Sequence, residues 1–428
     1  MHCSWSKEPP PWVSDQPVAC DPQAAPSLRL HQEIVGLMTW LSPTEHETHL
    51  RMTVQNELTF HIQQYDPLSA VDLFGSHSYG VGLPTSDLDL NVTSSRITDV
   101  DMLKSVLEAT QQYTHFFVVR KCRVPVVSCQ HRNSCIDLDV TLNNPGGRIT
   151  GQAAKQLLDR HPVARPLVVV VKYFLRQRKL CEVACGGLSS YAMCAMVVSF
   201  LLHRPQNKPV RGYGQLLIEF LRLYAFEFNY ADVAIDVANQ MYIKKPPPHR
   251  ANLAADLLYV VDPADNTNNV SNASKKIRLV RCAFLDAYNV LTAHIPPADD
   301  IYRTLLGRVL QRDKWLTALR EYYMKASTQR IETVLRQIDP SPFLPEARPT
   351  FLQSPTLTFA AVSAIYTTTT GGMTLPLTAR GEIQQRKQKR RRELGGTGWC
   401  SPRPQPIPQA PDPRSEEAST GEEYDTDF

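Results

Sequence analysis

The stretch from Ala70 to Val92, AVDLFGSHSYGVGLPTSDLDLNV, restricts the fold of this chain more than any other. Its two ends, AVDLFG and DLDLNV, alternate apolar and polar residues with period two, as half-buried strands do. The middle, SHSYGVGLPTS, is rich in turn formers. Side chains two apart on a strand share a face, so Asp87 and Asp89 present both carboxylates to one side. Carboxylates that close repel each other unless a cation lies between them. Oxygen ligands of this kind favour Mg²⁺ or Mn²⁺. Gly75 and Ser76 follow the first strand directly. A glycine there lets the backbone approach a phosphate, to which the Ser76 amide and hydroxyl can donate.

A second pair of carboxylates stands in CIDLDVTLNN, where Asp137 and Asp139 again share one face of a predicted strand. Either could supply the third ligand that a pair of metal ions requires. Two ions held this way lower the pKa of an attacking hydroxyl and steady a departing pyrophosphate in an in-line displacement. A lone Asp-x-Asp is common on exposed strands, and Gly-Ser alone is a weaker signal. The joint order of Gly-Ser, a short loop, Asp-x-Asp and a later strand carboxylate is far more specific.

The chain has 428 residues, 43% hydrophobic and 21% charged, which suffices for two or three domains with real cores. No run of 18 apolar residues occurs, so no membrane span is expected, and the N-terminal residues lack the apolar stretch of a secretory signal. The ten cysteines have no regular spacing and are expected to be reduced; Cys181 and Cys185 form an isolated CxxxC better read as buried thiols than as zinc ligands. The composition predicts disorder over residues 1–29. Leu28–Leu41 has helical periodicity, and a second helix is expected over Pro43–Tyr65, with Ser42 and Glu45 as a capping box. These N-terminal helices, residues 30–59, are expected to pack on a helical central domain spanning 153–326. Residues 60–152 read as an α+β unit with strands at FFVVR, VPVVS and CIDLDV. Residues 327–428 read as a low-complexity tail containing the basic run RKQKRRR, Arg386–Arg392.

Several long segments together resemble the noncanonical poly(A) polymerases of the nuclear-surveillance (TRAMP-complex) type, in the nucleotidyltransferase β superfamily. They are HQEIVGLMTWLSPTEHE, LFGSHSYGVGLPTSDLDL, IDLDVTLNNPGG, PLVVVVKYFLRQRKLCEVACGGLSSYAMCAMVVSFLL, GYGQLLIEFLRLYAFEFNY and LYVVDPADNTNNV. The resemblance runs from about Leu30 to Val309. It implies a bilobed α+β architecture, with a polymerase β-like mixed-sheet domain, a helical central domain and ATP bound between them. It also implies that Asp139, four residues before the Asn143 of a Leu-Asn-Asn element, is the third metal ligand beside Asp87 and Asp89. Gly75 and Ser76 would face the triphosphate. Lys172 and Arg176, four apart on a predicted helix, would meet the β- and γ-phosphates. Ser190 would donate to the triphosphate, and Tyr191 would stack on the base, a contact with little base selectivity.

Base choice is expected in the loop Asp262–Val270, where Asn268 suits adenine because its amide offers both a donor and an acceptor. Relatives that add uridylate tend to carry histidine there. Ser271 and Asn272 depart from the Gly-Arg usual in the family. The implied activity is addition of AMP from ATP to RNA 3′ ends with two Mg²⁺ or Mn²⁺ ions. A terminal uridylyltransferase, a catalytically silent RNA-binding scaffold and a small-molecule nucleotidyltransferase are the alternatives. The basic run, with Arg386, Lys387, Lys389, Arg390, Arg391 and Arg392, suits either RNA-backbone contact or a nuclear localisation signal. The chain shows no RNA-recognition module of its own. The resemblance therefore implies a zinc-knuckle RNA-binding partner and an RNA helicase, in the nucleus with a cytoplasmic pool possible.

Overall fold

The computed structural model describes residues 10–14, 25–120, 122–205, 210–246, 257–293 and 304–324. The basic run 386–392 lies outside them. Among the described residues no helix is long and apolar enough to cross a membrane. The chain opens with α1 (Pro11–Ser14), α2 (Pro26–Leu41) and α3 (Glu45–Tyr65). It continues through β1 (Ala70–Leu73), the single turn α4 (Gly75–Ser78), β2 (Leu88–Thr93) and α5 (Val100–Ala109). Three strands follow, β3 (Tyr113–Val119), β4 (Val126–His131) and β5 (Asp137–Leu142). Then come α6 (Pro145–Arg160), α7 (Ala164–Gln177), α8 (Ser190–Leu202) and α9 (Tyr213–Arg222). Two short hairpins, β6 (Val233–Asp236) with β7 (Met241–Lys244) and β8 (Val261–Asp262) with β9 (Asp265–Asn269), precede α10 (Ile277–Thr292).

The five-stranded sheet has the order β1-β2-β5-β4-β3. Only β2 and β5 are parallel; the other pairs are antiparallel, so the sheet is mixed. Leu88, Leu90 and Val92 on β2 and Leu138 and Val140 on β5 point into the core beneath it. Leu50, Val54, Leu58 and Ile62 of α3, spaced three or four apart, cover that core together with Leu103 and Leu107 of α5. A second core joins α2, α7, α8, α9 and α10. Tyr79, Val81 and Leu83, from the connection between α4 and β2, are buried in this second core rather than in the sheet's own.

Trp12, inside the stretch read as disordered, is 1% exposed and packs on Trp40 at 5.8 Å between ring centroids. An aromatic side chain that finds a pocket overrides the Pro-rich composition around it. The second helix is capped by Thr44 and Glu47, not by Ser42 and Glu45: the Glu47 amide donates to Thr44 Oγ1 (3.1 Å) and the Thr44 amide to Glu47 Oε2 (2.8 Å). Both pairs have the capping spacing, but Ser42 Oγ instead donates to Met38 O at the end of α2. Of the two N-terminal helices only α2 packs on the helical lobe; α3 belongs to the sheet, so a boundary at residue 60 would cut it.

The central region is not wholly helical, because it carries β6 to β9. Nor does it keep residues 314–324, a helix whose Leu319 and Tyr323 join the core under the sheet. Tyr323 Oη donates to Ser134 O, and Arg320 donates to Trp40 O, Ser42 O and Glu47, latching the α2–α3 connection.

Candidate active site

The parallel register sets Asp89 directly beside Asp139 on the neighbouring strand, with Asp87 at the entrance to β2. All three are half-buried. Period two sends Asp89 to the face opposite Leu88 and Leu90, and Asp139 likewise away from Leu138 and Val140. Antiparallel pairing with β4 puts Ser128 opposite Asp139, and Ser128 Oγ donates to Asp139 Oδ1 at 2.5 Å. Gln130, opposite Asp137, donates from Nε2 to Asp137 Oδ1 at 3.0 Å. The two carboxylates that the sequence left open therefore have different neighbours, and it is Asp139 that lies against Asp89.

Beyond Asp139, the Leu-Asn-Asn element pins the strand end. Asn143 takes a left-handed backbone (φ 49°) and exchanges hydrogen bonds with the Ser94 backbone, donating to Ser94 O and accepting from its amide, both at 3.0 Å. Asn144 caps α6 through Gly146 and donates its own amide to Asn91 Oδ1 on β2. These contacts fix β5 against β2 just past the carboxylates.

Gly75 opens α4 with φ +66°, a conformation that side chains with a Cβ disfavour. A Cβ there would overlap the Asp89 carboxylate, landing 2.6 Å from its Cγ. The backbone of the Gly-Ser turn and the Asp89 carboxylate are thus in direct apposition. Ser76 is buried, its carbonyl accepting from the Val81 amide at 3.0 Å, while Ser78 Oγ returns to Gly75 O at 2.8 Å. His77 packs beneath Gly82, whose Cβ would fall 2.7 Å from the ring Cγ. Burial, with Arg51 and Lys172 nearby, pushes the His77 pKa down to about 3, so the ring is neutral at pH 7.

The donor set of Asp87, Asp89 and Asp139 is all oxygen, which suits a hard divalent cation. Among the described residues, however, no three His, Cys, Asp or Glu side chains stand close enough together to hold one ion. Asp89 is turned against Gly75, and Asp139 accepts from Ser128, so the backbone register aligns carboxylates that the side chains have not gathered. The same holds for Cys181 and Cys185, which stand in no such group; burial raises the pKa of Cys181.

Lys172 and Arg176 do share a face of α7, but the structure places them on the connection before Asp87 rather than in an open cleft. Lys172 Nζ donates to Val81 O at 3.1 Å and Arg176 to Thr85 O at 2.6 Å. Lys172 is 5% exposed, and burial, reinforced by the Arg176 charge, lowers its pKa to about 8. Arg51 on α3, which the sequence reading overlooked, donates to Ser86 O and Pro84 O of the same connection.

At the start of α8, Ser189 caps the helix by accepting from the Ala192 amide, and Ser190 hydrogen-bonds the phenol of buried Tyr79. Tyr191 is half-buried against the helical core, so it is packed as well as placed. Its hydroxyl donates to Asp262 Oδ1 at 2.8 Å, and Asn268 Nδ2 donates to Asp262 Oδ2 at 2.9 Å. One buried carboxylate, in the sequence only the first residue of the base-choice loop, therefore aligns the two side chains assigned to the base. Burial and the Asp262 contact raise the Tyr191 pKa well above the usual phenol range. Ser271 is buried: its hydroxyl donates to Leu258 O (2.8 Å) and accepts from the Val260 amide (3.1 Å), closing the base of the β8–β9 hairpin.

Two family models match. The one described as "Poly(A) RNA polymerase, mitochondrial-like, central palm domain" covers residues 30–152, and the one described as "Cid1 family poly A polymerase" covers 212–268. The poly(A) RNA polymerase cid14 of Schizosaccharomyces pombe is 31% identical over 319 residues, covering 69% of this chain and 47% of the relative. The poly(A) RNA polymerase CID14 of Cryptococcus neoformans is 33% identical over 278 residues, covering 62% of this chain and 36% of the relative. The chain thus spans about half or less of the length of these curated relatives. A solved structure of the polymerase core of TRAMP, an RNA surveillance complex, is 28% identical with a TM-score of 0.61, covering 70% of this chain and 98% of that one. The nucleotidyltransferase fold these matches share implies a divalent metal ion and a nucleotide substrate. With the Gly-Ser turn, the registered carboxylates and the helical lobe all in matching order, the chain is similar from residue 30 to residue 268 to the noncanonical poly(A) polymerases of the nucleotidyltransferase superfamily.

Proposed function

We propose that this protein adds adenylate from ATP to RNA 3′ ends without a template. The observation that carries the reading is the pairing of Asp89 with Asp139 across parallel strands, beside a Gly-Ser turn whose backbone abuts Asp89. Asp87, Asp89 and Asp139 would hold Mg²⁺ or Mn²⁺. When bound, such ions lower the pKa of the RNA 3′-hydroxyl and balance charge on the departing pyrophosphate. The Gly75–Ser76 turn offers backbone donors to the triphosphate. Ser190, at the first turn of α8, faces the same phosphates with the helix N-terminus behind it. Lys172 and Arg176 hold the connection that carries Asp87, and their charges bias the site toward the polyphosphate.

Tyr191 stacks on the base. Asn268, having given Nδ2 to Asp262, keeps its carbonyl oxygen for the base edge. An acceptor at that point suits the exocyclic amino group of adenine. RNA is the acceptor substrate. The similarity to the polymerase core of TRAMP, an RNA surveillance complex, supports a zinc-knuckle RNA-binding protein and an RNA helicase as partners, in nuclear RNA surveillance. The basic run 386–392 serves as RNA contact or nuclear address.

The test is incubation of the full chain with a short labelled RNA, Mg²⁺ and each nucleoside triphosphate in turn, repeated with Mn²⁺ and a zinc-knuckle partner. ATP should give the longest products. Preferential extension with UTP would replace the adenylyl reading by a uridylyl one on the same fold. Absence of extension under every condition would leave the RNA-binding scaffold.

A further inference from the structure

The residues immediately before Asp87 form a run of captured carbonyls. Pro84 O accepts from one Arg51 nitrogen at 2.5 Å and Ser86 O from another at 3.2 Å. Between them Thr85 O accepts from Arg176 at 2.6 Å, and upstream Val81 O accepts from Lys172. The Ser86 carbonyl belongs to the same planar peptide unit as the Asp87 amide. Holding that oxygen fixes the plane from which the Asp87 side chain departs.

Arg51 is itself held on both sides. Leu50 and Val54 anchor its stretch of α3 in the core beneath the sheet. The first turn of α3 is closed by the Thr44–Glu47 box, and Glu47 is gripped in turn by Arg320. The Arg51 charge lies near enough to Asp87, Glu47, Tyr323 and Arg176 to interact with each. A planar guanidinium can reach two carbonyls at a fixed separation, which neither an ammonium nor an amide reproduces.

We propose that Arg51 is a positioning residue for Asp87, fixing the peptide that delivers this carboxylate to the metal site. The proposal rests on Asp87 being a metal ligand. Groups that orient ligands from behind typically change metal affinity by about 10-fold to 100-fold when removed.

The test is direct binding of Mn²⁺ to the full chain, read from the electron paramagnetic resonance signal of free Mn²⁺, with thermal unfolding followed in parallel. Arg51→Met is expected to weaken Mn²⁺ binding by about 10-fold or more. Arg51→Lys should recover part of the loss, and the Arg51→Met, Asp87→Asn double variant should bind no more weakly than Asp87→Asn alone. Should Arg51→Met not fold, Arg51→Gln carries the same expectation. Wild-type Mn²⁺ affinity in a folded Arg51→Met or Arg51→Gln chain overturns the proposal, whatever the change in melting temperature. So does a loss that adds fully to that of Asp87→Asn. If Asp87→Asn itself binds Mn²⁺ normally, the metal-ligand reading of Asp87 fails and the proposal with it.

Discussion

Gly75 and Asp89 touch so closely that the turn has no room for a Cβ: one built on Gly75 would penetrate the Asp89 carboxylate. The φ of +66° at Gly75 adds a second obstacle to any other residue. Gly75→Ala should therefore displace either Asp89 or the Gly-Ser turn, both of which the proposed reaction uses. We expect a loss of RNA extension of at least about 100-fold, the scale seen when positioned electrostatic groups are misplaced, with a destabilisation of roughly 1–2 kcal/mol. Extension rates and thermal unfolding of the same preparation check both; near-normal extension would show that the apposition is not functional.

Asp262 joins Tyr191 to Asn268 through one carboxylate. Asp262→Ala leaves the Tyr191 hydroxyl and the Asn268 amide without that acceptor and frees both side chains to rotate. The loss should appear mainly in KM for ATP, by about tenfold, which corresponds to roughly 1.4 kcal/mol of binding. The preference for ATP over UTP should narrow. Steady-state kinetics with both nucleotides separates this from a general loss of kcat.

Lys172 is a buried cation whose pKa is lowered to about 8. A depressed pKa means that ionisation opposes folding: the stability present above the unfolded value of 10.5 is lost as pH falls through about 8. At pH 7 the charge is present and destabilising. Lys172→Met should consequently raise the unfolding midpoint at pH 7, by roughly 2 kcal/mol of stability, while lowering activity. The gain should shrink above pH 9. A midpoint that falls at pH 7 would show that the bond to Val81 outweighs the burial of the charge.

Glu33 on α2 accepts from the Leu305 and Leu306 amides at 2.8 and 2.6 Å, tying the helical lobe together. Burial raises its pKa from 4.5 to about 7 despite those donors. The folded state then binds a proton that the unfolded chain releases, so stability is fully present below pH 4.5 and declines as pH rises toward 7. The decline amounts to roughly 3 kcal/mol. Glu33→Gln keeps an acceptor but cannot ionise, and its unfolding midpoint should be flatter between pH 5 and 8. Parallel curves for the two proteins would refute the assignment.

The legible and hidden parts of this protein differ by the range over which their causes act. Local period two puts Asp87 with Asp89 and Asp137 with Asp139 on shared strand faces, the choice of Asp139 over Asp137 coming from the family resemblance, and the strands around them lie where the alternation predicts. The capping box was misplaced by two residues because Ser42-Glu45 and Thr44-Glu47 have identical spacing, and only the contact of Ser42 with Met38 distinguishes them. Lys172 and Arg176 were visible as a pair, but their acceptors, Val81 and Thr85, lie 91 residues upstream. Arg51 and Asp262 act through partners just as unpredictable from spacing. Trp12 was lost in a Pro-rich stretch, and the helix 314–324 returns to the sheet from the end of the helical region for reasons that only its contacts with Ser134 and Glu47 reveal.

The most direct test of the central claim is single-turnover extension of a labelled RNA with ATP and Mg²⁺, comparing the wild-type chain with Asp139→Asn and Asp137→Asn. The register puts Asp139 beside Asp89 and leaves Asp137 with Gln130. Asp139→Asn should abolish extension, while Asp137→Asn should retain most of it. Equal activity of the two variants, or loss in Asp137→Asn alone, would contradict the assignment of the site.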